Sequence, residues 1–393
     1  MSSLQLPAAE PESRPLLGLE RMWLAADRAW PPFVNQLVVE GEGEPDGAAL
    51  TRALARIAQA WPAAGARLRG TLSATRWVAD GRPPPLREAA AWDGVSPHPA
   101  LSAPLDPWSG PVVELVRFPG RLLLRTHHAA FDGRAAWPLA CDLGRLLRGE
   151  EPVGAQFAGI ENPPTERPPA SPPPSDAPLA VSGPAAGDEA PRWARRTLPS
   201  VPRELVARVA VALAVHRGER VRLSVPVDVR RAADPLAYAA NLTGFVRLEA
   251  APGEEVQEVA HRLRAGVAAG AALDGFHAAD GLRSWPLWLL APLARASALA
   301  QLRKGRAPTT AAISNLGRQD AAVFDHPGFR GTALYWLPPV SPGAGAFVTL
   351  TGHARGLELI VGLPDCLASG GRLDALADSL AAALAAGLSS AGE

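Results

Sequence analysis

The chain has 393 residues, with 39 Lys and Arg against 39 Asp and Glu, 47% hydrophobic residues and 20% charged ones. That composition belongs to a globular chain and excludes a disordered, collagenous or membrane-embedded one. A formal net charge of zero gives no long-range attraction for a polyanion, which excludes general nucleic-acid binding as the main activity and leaves small-molecule chemistry.

Single hydrophobic cores stop growing near ~250 to 300 residues, so two lobes are expected. Phe33 to Glu40 alternates as a strand does, and Gly47 to Trp61 carries Leu50, Leu54, Ile57, Ala58 and Trp61 at helical spacing until Pro62 stops it. Val112 to Arg117 and Arg121 to His128 are β-rich runs joined by Phe118-Pro119-Gly120, a hairpin signal. Arg134 to Arg148 is a helix with Ala136, Leu139, Ala140, Leu143 and Leu147 on one face. A Pro-rich stretch follows, densest between Asn162 and Pro191, whose prolines remove backbone donors and fix φ. It divides the chain into an N-terminal lobe over 1–160, a linker over 161–195 and a C-terminal lobe over 196–393.

The second half opens with a helix over Arg203 to His216, strands over Val221 to Val227 and Phe245 to Leu248, and a helix over Val256 to Ala268. The most apolar stretch, Trp285 to Ala300, is broken by Pro286, Pro292 and Arg295, whereas a membrane span needs about 20 uninterrupted residues. It is expected as a buried or tunnel-lining helix. Strands over Phe347 to Gly352 and Leu357 to Val361 and a helix from Leu373 to Leu388 complete an α+β pattern. Cys141 and Cys366 are too few for a disulfide framework or a four-thiolate zinc site. With no secretory signal at the N-terminus, a cytoplasmic protein is expected.

The segment that carries chemistry is Leu124-Arg125-Thr126-His127-His128-Ala129-Ala130-Phe131-Asp132-Gly133, running from a strand end across a turn into a helix. The period of two sends consecutive side chains to opposite faces, so His127 and His128 point apart and do not share a metal. No CxxC or HExxH spacing is present, so no metal is expected. An imidazole just ahead of a tight turn is the candidate to face a cleft, and a neutral one accepts a proton from a hydroxyl or amine near neutral pH. GxSxG and GxGxxG signatures are absent, and the single lysine, Lys304, follows no glycine-rich cradle.

His127-His128-Ala129-Ala130-Phe131-Asp132-Gly133 resembles the HHxxxDG signature of the chloramphenicol acetyltransferase-like superfamily, which includes nonribosomal-peptide condensation domains and plant acyltransferases. The flanks resemble it too. Leu50 to Gly70, with Trp61-Pro62 and Arg67-Leu68-Arg69, is similar to the family's first helix and following strand. Val225 to Arg230, then Asn241-Leu242-Thr243-Gly244-Phe245, is similar to its second-half strand and Gly/Asn segment. Ile313-Ser314-Asn315-Leu316-Gly317 is similar to the Ser-Asn strand of stand-alone members.

The resemblance implies an α+β fold of two acetyltransferase-like lobes, mixed sheets flanked by helices, set in a V around an inter-lobe tunnel. His128 would be the base midway along it, His127 would hold the loop, and Asp132 would pair with Arg230, Arg231 being the fallback, to fix the loop rather than relay protons. At Gly133 a side chain would collide with loop or substrate. Ser314, Asn315, Thr349 and Thr351 are candidates for the oxyanion donor or tunnel wall. The implied reaction moves an acyl group from acyl-CoA, or from a phosphopantetheine-linked thioester on an acyl or peptidyl carrier protein acting in trans, to a small-molecule alcohol or amine, with no bound cofactor. A non-catalytic docking module, and cyclisation or hydrolysis of a tethered thioester, are the alternatives.

Two departures bear on the acceptor. The Asp-Phe-Gly-Trp-Gly segment of the plant enzymes is missing, with Pro338 to Ala346 near its place, and Arg134 follows the motif where condensation domains carry Trp or Ser. Trp137, Trp285, Trp288 and Trp336 are candidates for an apolar channel, against the ordinary role of aromatics as core. Arg303-Lys304-Gly305-Arg306 reads first as a solvated loop and second as a phosphate grip. Asp378-Ser379-Leu380 imitates a carrier attachment site but reads as the surface of the last helix.

Overall fold

The computed structural model describes residues 12–157, 176–230, 238–273, 279–282 and 285–389. In chain order the principal helices are α1 (Gly18–Ala29), α2 (Gly47–Ala60), α3 (Gly133–Leu147), α4 (Leu205–Arg217), α5 (Val256–Ala268), α6 (Leu287–Arg303) and α7 (Arg372–Ser389). The principal strands are β1 (Val34–Gly43), β2 (Leu86–Glu88), β3 (Val113–Phe118), β4 (Arg121–His127), β5 (Pro191–Leu198), β6 (Val221–Asp228), β7 (Thr243–Ala250), β8 (Ala311–Arg318), β9 (Phe329–Leu337), β10 (Phe347–His353) and β11 (Gly356–Pro364).

They form an α+β fold with two mixed sheets. The first has five strands in the order β9-β1-β4-β3-β2, and the second has six in the order β7-β6-β8-β10-β11-β5. Helices cover each sheet. Leu50, Leu54 and Ile57 of α2 and Leu139 and Leu143 of α3 pack on the inner face of the first sheet, around Leu37, Leu115 and Leu124. Val209 and Leu213 of α4 and Leu376 and Leu380 of α7 do the same over Leu223, Ile313, Leu350 and Leu359 of the second.

Local signals account for the element ends. Asp46 caps α2, its carboxylate accepting from the Ala48 and Ala49 N–H groups, and Pro62 begins a short 3-10 turn where α2 stops. Gly120, at φ +66°, makes the tight turn between β3 and β4.

Three placements differ from the sequence expectation. The C-terminal half lends β9 to the first sheet: Phe329 to Leu337 pairs antiparallel with β1, so the chain does not divide cleanly at 196. Of the expected linker, 161–175 lies outside the described residues, while its last residues belong to the second sheet. Pro191 opens β5 at that sheet's edge, where a missing N–H breaks no ladder. Finally, of the two places expected for α6 the buried one fails: Trp288 is 66% and Leu293 51% exposed and only Ala291, Ala298 and Leu302 are buried, while Leu290, Ala294 and Ala298 line a cavity.

The sheets are also tied by side chains. Arg195 of β5 pairs with Glu358 of β11 and with Glu40 of β1 while lying over the Tyr335 ring of β9 at 3.9 Å. The Trp193 indole donates to the Pro338 carbonyl. No helix among the described residues is long and apolar enough to cross a membrane.

Candidate active site

Strand β4 ends at His127 because the chain must turn before α3, whose N-cap is Asp132: its Oδ1 accepts from the Ala135 N–H at 2.8 Å. The last ladder bonds run from the His127 N–H to Val112 and from the His128 N–H to Phe33. The two histidines then part. His127 is fully buried, its Nδ1 accepting from the Ala129 N–H at 3.1 Å and its Nε2 lying 3.5 Å from Asp27. His128 opens onto a cavity of about 810 Å³ between the two sheets.

The His128 ring lies against aromatic neighbours, stacked on Trp23 at 4.6 Å and on Phe33 at 5.6 Å. Asn241, from the second half, approaches its Nδ1. Burial holds the imidazole pKa down to about 4, its own carbonyl and the charge of Asp132 opposing this only in part. At neutral pH the ring is uncharged.

Asp132 borders the same cavity but is only 1% exposed. It meets Arg230, and it also accepts from the Leu242 N–H at 2.8 Å and the Thr243 hydroxyl at 2.9 Å. Burial alone would raise the carboxyl, but the Arg230 charge and these donors outweigh it and hold the pKa below the usual carboxylate range. Arg230 is held as well by Asp228 and the Ala240 carbonyl. Arg231 lies outside the described residues.

A Cβ at Gly133 would come within 2.8 Å of Leu316, so the obstacle is a side chain of the opposite half rather than the motif loop. Of the four oxyanion candidates, Ser314, Asn315 and Thr349 line the cavity. Thr351 does not: it lies on the same face of β10 as Thr349 but two residues further along the strand, where it is buried at 1% exposure. Ser314 and Thr349 are directly paired across β8 and β10. The Thr349 hydroxyl already donates to the Trp336 carbonyl at 2.7 Å, and the Asn315 side-chain oxygen accepts from the Gly317 N–H. The Ser314 hydroxyl is left with no hydrogen-bond partner among the described residues.

Trp137 and Trp336 reach the cavity, whereas Trp285 and Trp288 do not. The face of α6 bearing Leu290, Ala294 and Ala298 supplies one wall, and Pro338, Pro339 and Ser341 supply part of another. Arg134 stands largely in solvent at the rim, 3.8 Å from Asp228. Arg303 and Lys304 are exposed and away from the cavity, and Asp378 pairs with Arg196 on the outside of α7. Sequence reasoning missed Trp23, Phe33 and Asp27, which no local pattern marks, and gave no role to Asn241, although its Asn-Leu-Thr-Gly setting was visible. Among the described residues no three His, Cys, Asp or Glu side chains converge as a metal site.

No protein-family model matches the chain, and no curated protein matches it. Solved structures do. The condensation domain of the monacolin K polyketide synthase MokA superposes with a TM-score of 0.62 at 13% identity, over 96% of this chain and 98% of that one. The epimerization domain from the third module of tyrocidine synthetase B gives 0.59 at 12% identity over 98% and 99%. A variant of the starter condensation domain of rhizomide synthetase RzmA, in complex with C8-CoA and Leu-SNAC, gives 0.61 at 14% identity over 95% and 94%. Over nearly its whole length, the chain has the condensation-domain fold of nonribosomal-peptide and polyketide synthases.

Proposed function

We propose that the protein is a condensation-type acyltransferase, moving an acyl group from a thioester to a hydroxyl or amine. The observation that carries this reading is the position of His128: an uncharged imidazole opening onto a cavity of about 810 Å³ between the two sheets. The cavity would be where two routes meet, as a tunnel. Aromatic packing and Asn241 orient the ring, and Asp132 with Arg230 fixes the loop that carries it. Holding donor and acceptor in line supplies most of the acceleration, and a positioned proton-transfer group contributes ~10²- to 10⁴-fold. His128 is that group: it receives the proton the acceptor loses, so that acyl ester or amide and free thiol result, and no acyl-enzyme is required.

The donor is an acyl thioester on CoA or on the phosphopantetheine of a carrier protein supplied in trans. The rhizomide neighbour, bound to C8-CoA and Leu-SNAC, supports thioesters as the class that suits this fold.

Mass spectrometry of reactions with acyl-CoA and acyl-SNAC donors and a panel of alcohols and amines tests the reading. An acyl adduct formed by the wild type and lost in His128→Ala is expected. Release of free acid or a ring by wild type, sensitive to the same substitution, would make the protein a hydrolase or cyclase. Absence of any turnover with all donors would leave a docking module.

A further inference from the structure

Helix α6 turns its sides to three different surroundings. Ala291, Ala298 and Leu302 are buried against the body of the protein, and Leu290, Ala294, Ser297 and Ala298 line the cavity. At 3.6 residues per turn, Trp288, Pro292, Leu293, Ala296, Ala300 and Arg303 share the remaining arc, about 140° wide, on the outward side. All six are exposed.

Single exposed apolar residues are ordinary, but a contiguous apolar arc along a helix is the kind of surface that is normally covered. From Trp288 to Ala300 this arc holds no polar group apart from the indole N–H. Arg295, at its border, is already taken: Nη2 donates to Glu189 and Nη1 to the Ala29 carbonyl, each at 2.9 Å. The apolar surface continues past the start of the helix. Arg21 donates to the carbonyls of both Trp285 and Leu72, and these two residues, from different halves of the chain, are themselves exposed.

Charge on this segment is one-sided. From Gly281 to Gln319 the sequence carries six Arg and Lys and no Asp or Glu, an excess that the zero net charge of the whole chain conceals. Arg303 and Lys304 close the outward arc, exposed and without an acidic partner among the described residues.

We infer that the outward face of α6 docks on an anionic lipid surface, lying along it rather than crossing it, with Trp288, Pro292 and Leu293 among the acyl chains and Arg303 and Lys304 at the headgroup phosphates. A protein partner would call for about one hydrogen bond per 100–200 Å² of interface, and the arc offers almost none ahead of Arg303. A lipid surface asks only for apolar depth and opposite charge, and tryptophan suits the boundary between the two. The face exists whether or not His128 reacts. For the transfer reading it has one consequence: the cavity lies across the same helix, so an acyl group or acceptor too apolar for water has about one helix diameter, ~10 Å, to travel from the membrane.

Flotation of the full chain with vesicles of phosphatidylcholine alone, and of phosphatidylcholine mixed with phosphatidylglycerol, tests this. Partition onto the anionic vesicles is expected, weakening as salt is raised. Trp288→Ser with Leu293→Ser should weaken it about tenfold or more. Arg303→Gln with Lys304→Gln should weaken it by about 10- to 30-fold, towards the level of the wild type on phosphatidylcholine alone. None of the four side chains lines the cavity or enters the core, so the variants should unfold at the wild-type temperature, which separates lost docking from lost folding. No partition onto anionic vesicles, or partition that the Trp288 and Leu293 substitutions leave intact, overturns the inference. So does capture of an acidic acyl carrier protein in place of vesicles, which would make the arc a protein-docking face, or a wild-type dimer that the same substitutions dissolve, which would assign it to a second copy of the chain. Vesicle binding is read without substrate, so a failure to find transfer activity would defeat the proposed function alone.

Discussion

Arg230 and Asp132 form a two-bonded ion pair across the two halves of the chain, Nη1 3.0 Å from Oδ2 and Nη2 3.1 Å from Oδ1, with the side chains 3% and 2% exposed. The pair stands just behind the His128 loop, buried at the edge of the cavity. Removing one partner leaves the other charge buried and short of donors or acceptors.

Asp132→Ala is accordingly expected to lower unfolding free energy by about 3 to 5 kcal/mol in urea titrations, because Arg230 keeps only Asp228 and the Ala240 carbonyl. Asp132→Asn, which retains shape and part of the hydrogen bonding, should cost less. A loss below about 1 kcal/mol in Asp132→Ala, the size of a surface pair, would contradict this.

Stability should fall in acid through His128. Its folded pKa, about 4, lies below the ordinary 6.5, so the unfolded chain binds the proton more readily. The destabilisation begins below the ordinary value, grows as pH drops towards the folded one, and amounts to roughly 3 kcal/mol when complete. His216, also lowered by burial, titrates in the same direction, so the difference between wild type and His128→Gln isolates the ring. Loss through Asp132, whose pKa is depressed, comes at lower pH still. Denaturant titrations across this range that coincide for wild type and His128→Gln would remove the basis for a neutral, desolvated imidazole.

The oxyanion donor can be told apart by two substitutions. Ser314→Ala is expected to lower kcat by ~10²-fold with little change in stability, since its hydroxyl has no described protein partner. Thr349→Val should leave kcat nearly unchanged and cost about 1 kcal/mol, because the buried Trp336 carbonyl loses its donor. Full activity in Ser314→Ala would take the hydroxyl out of the reaction.

Gly133→Ala meets only the far end of the Leu316 side chain, which can swing. Stability should stay within about 1 kcal/mol of wild type, helped by the lower backbone entropy of alanine in the unfolded chain. Leu316 lines the cavity, so its displacement should appear as a raised KM or a narrowed substrate range in kinetic assays. Wild-type kinetics in Gly133→Leu as well would show that the contact does not shape the cavity.

Much of the fold was legible because its cues act over a few residues. The period of Leu50, Leu54 and Ile57 located α2, Pro62 marked its end, and the Pro119-Gly120 turn joined two β-rich runs. The motif from His127 to Gly133 was legible for the same reason: a strand end, a turn and a helix cap lie within one short stretch. The recruitment of β9 was not legible, since a β-rich run does not reveal which sheet it will join. Nor did the prolines before β5 reveal that an edge position would accept them.

At the site, sequence by itself determined that two adjacent imidazoles must face opposite ways, because strand geometry alternates side chains. Resemblance added the Asp132 and Arg230 partnership. Only the tertiary structure decided which neighbours each ring meets: Asp27 for His127, and Trp23, Phe33 and Asn241 for His128. It also separated Ser314 from Thr349 and Thr351, alike as hydroxyl-bearing strand residues but unlike in what lies beside them. The reason is distance along the chain. Asn241 is 113 residues from His128, and no local preference of either residue encodes a meeting that arises when two separately packed sheets close on one cavity.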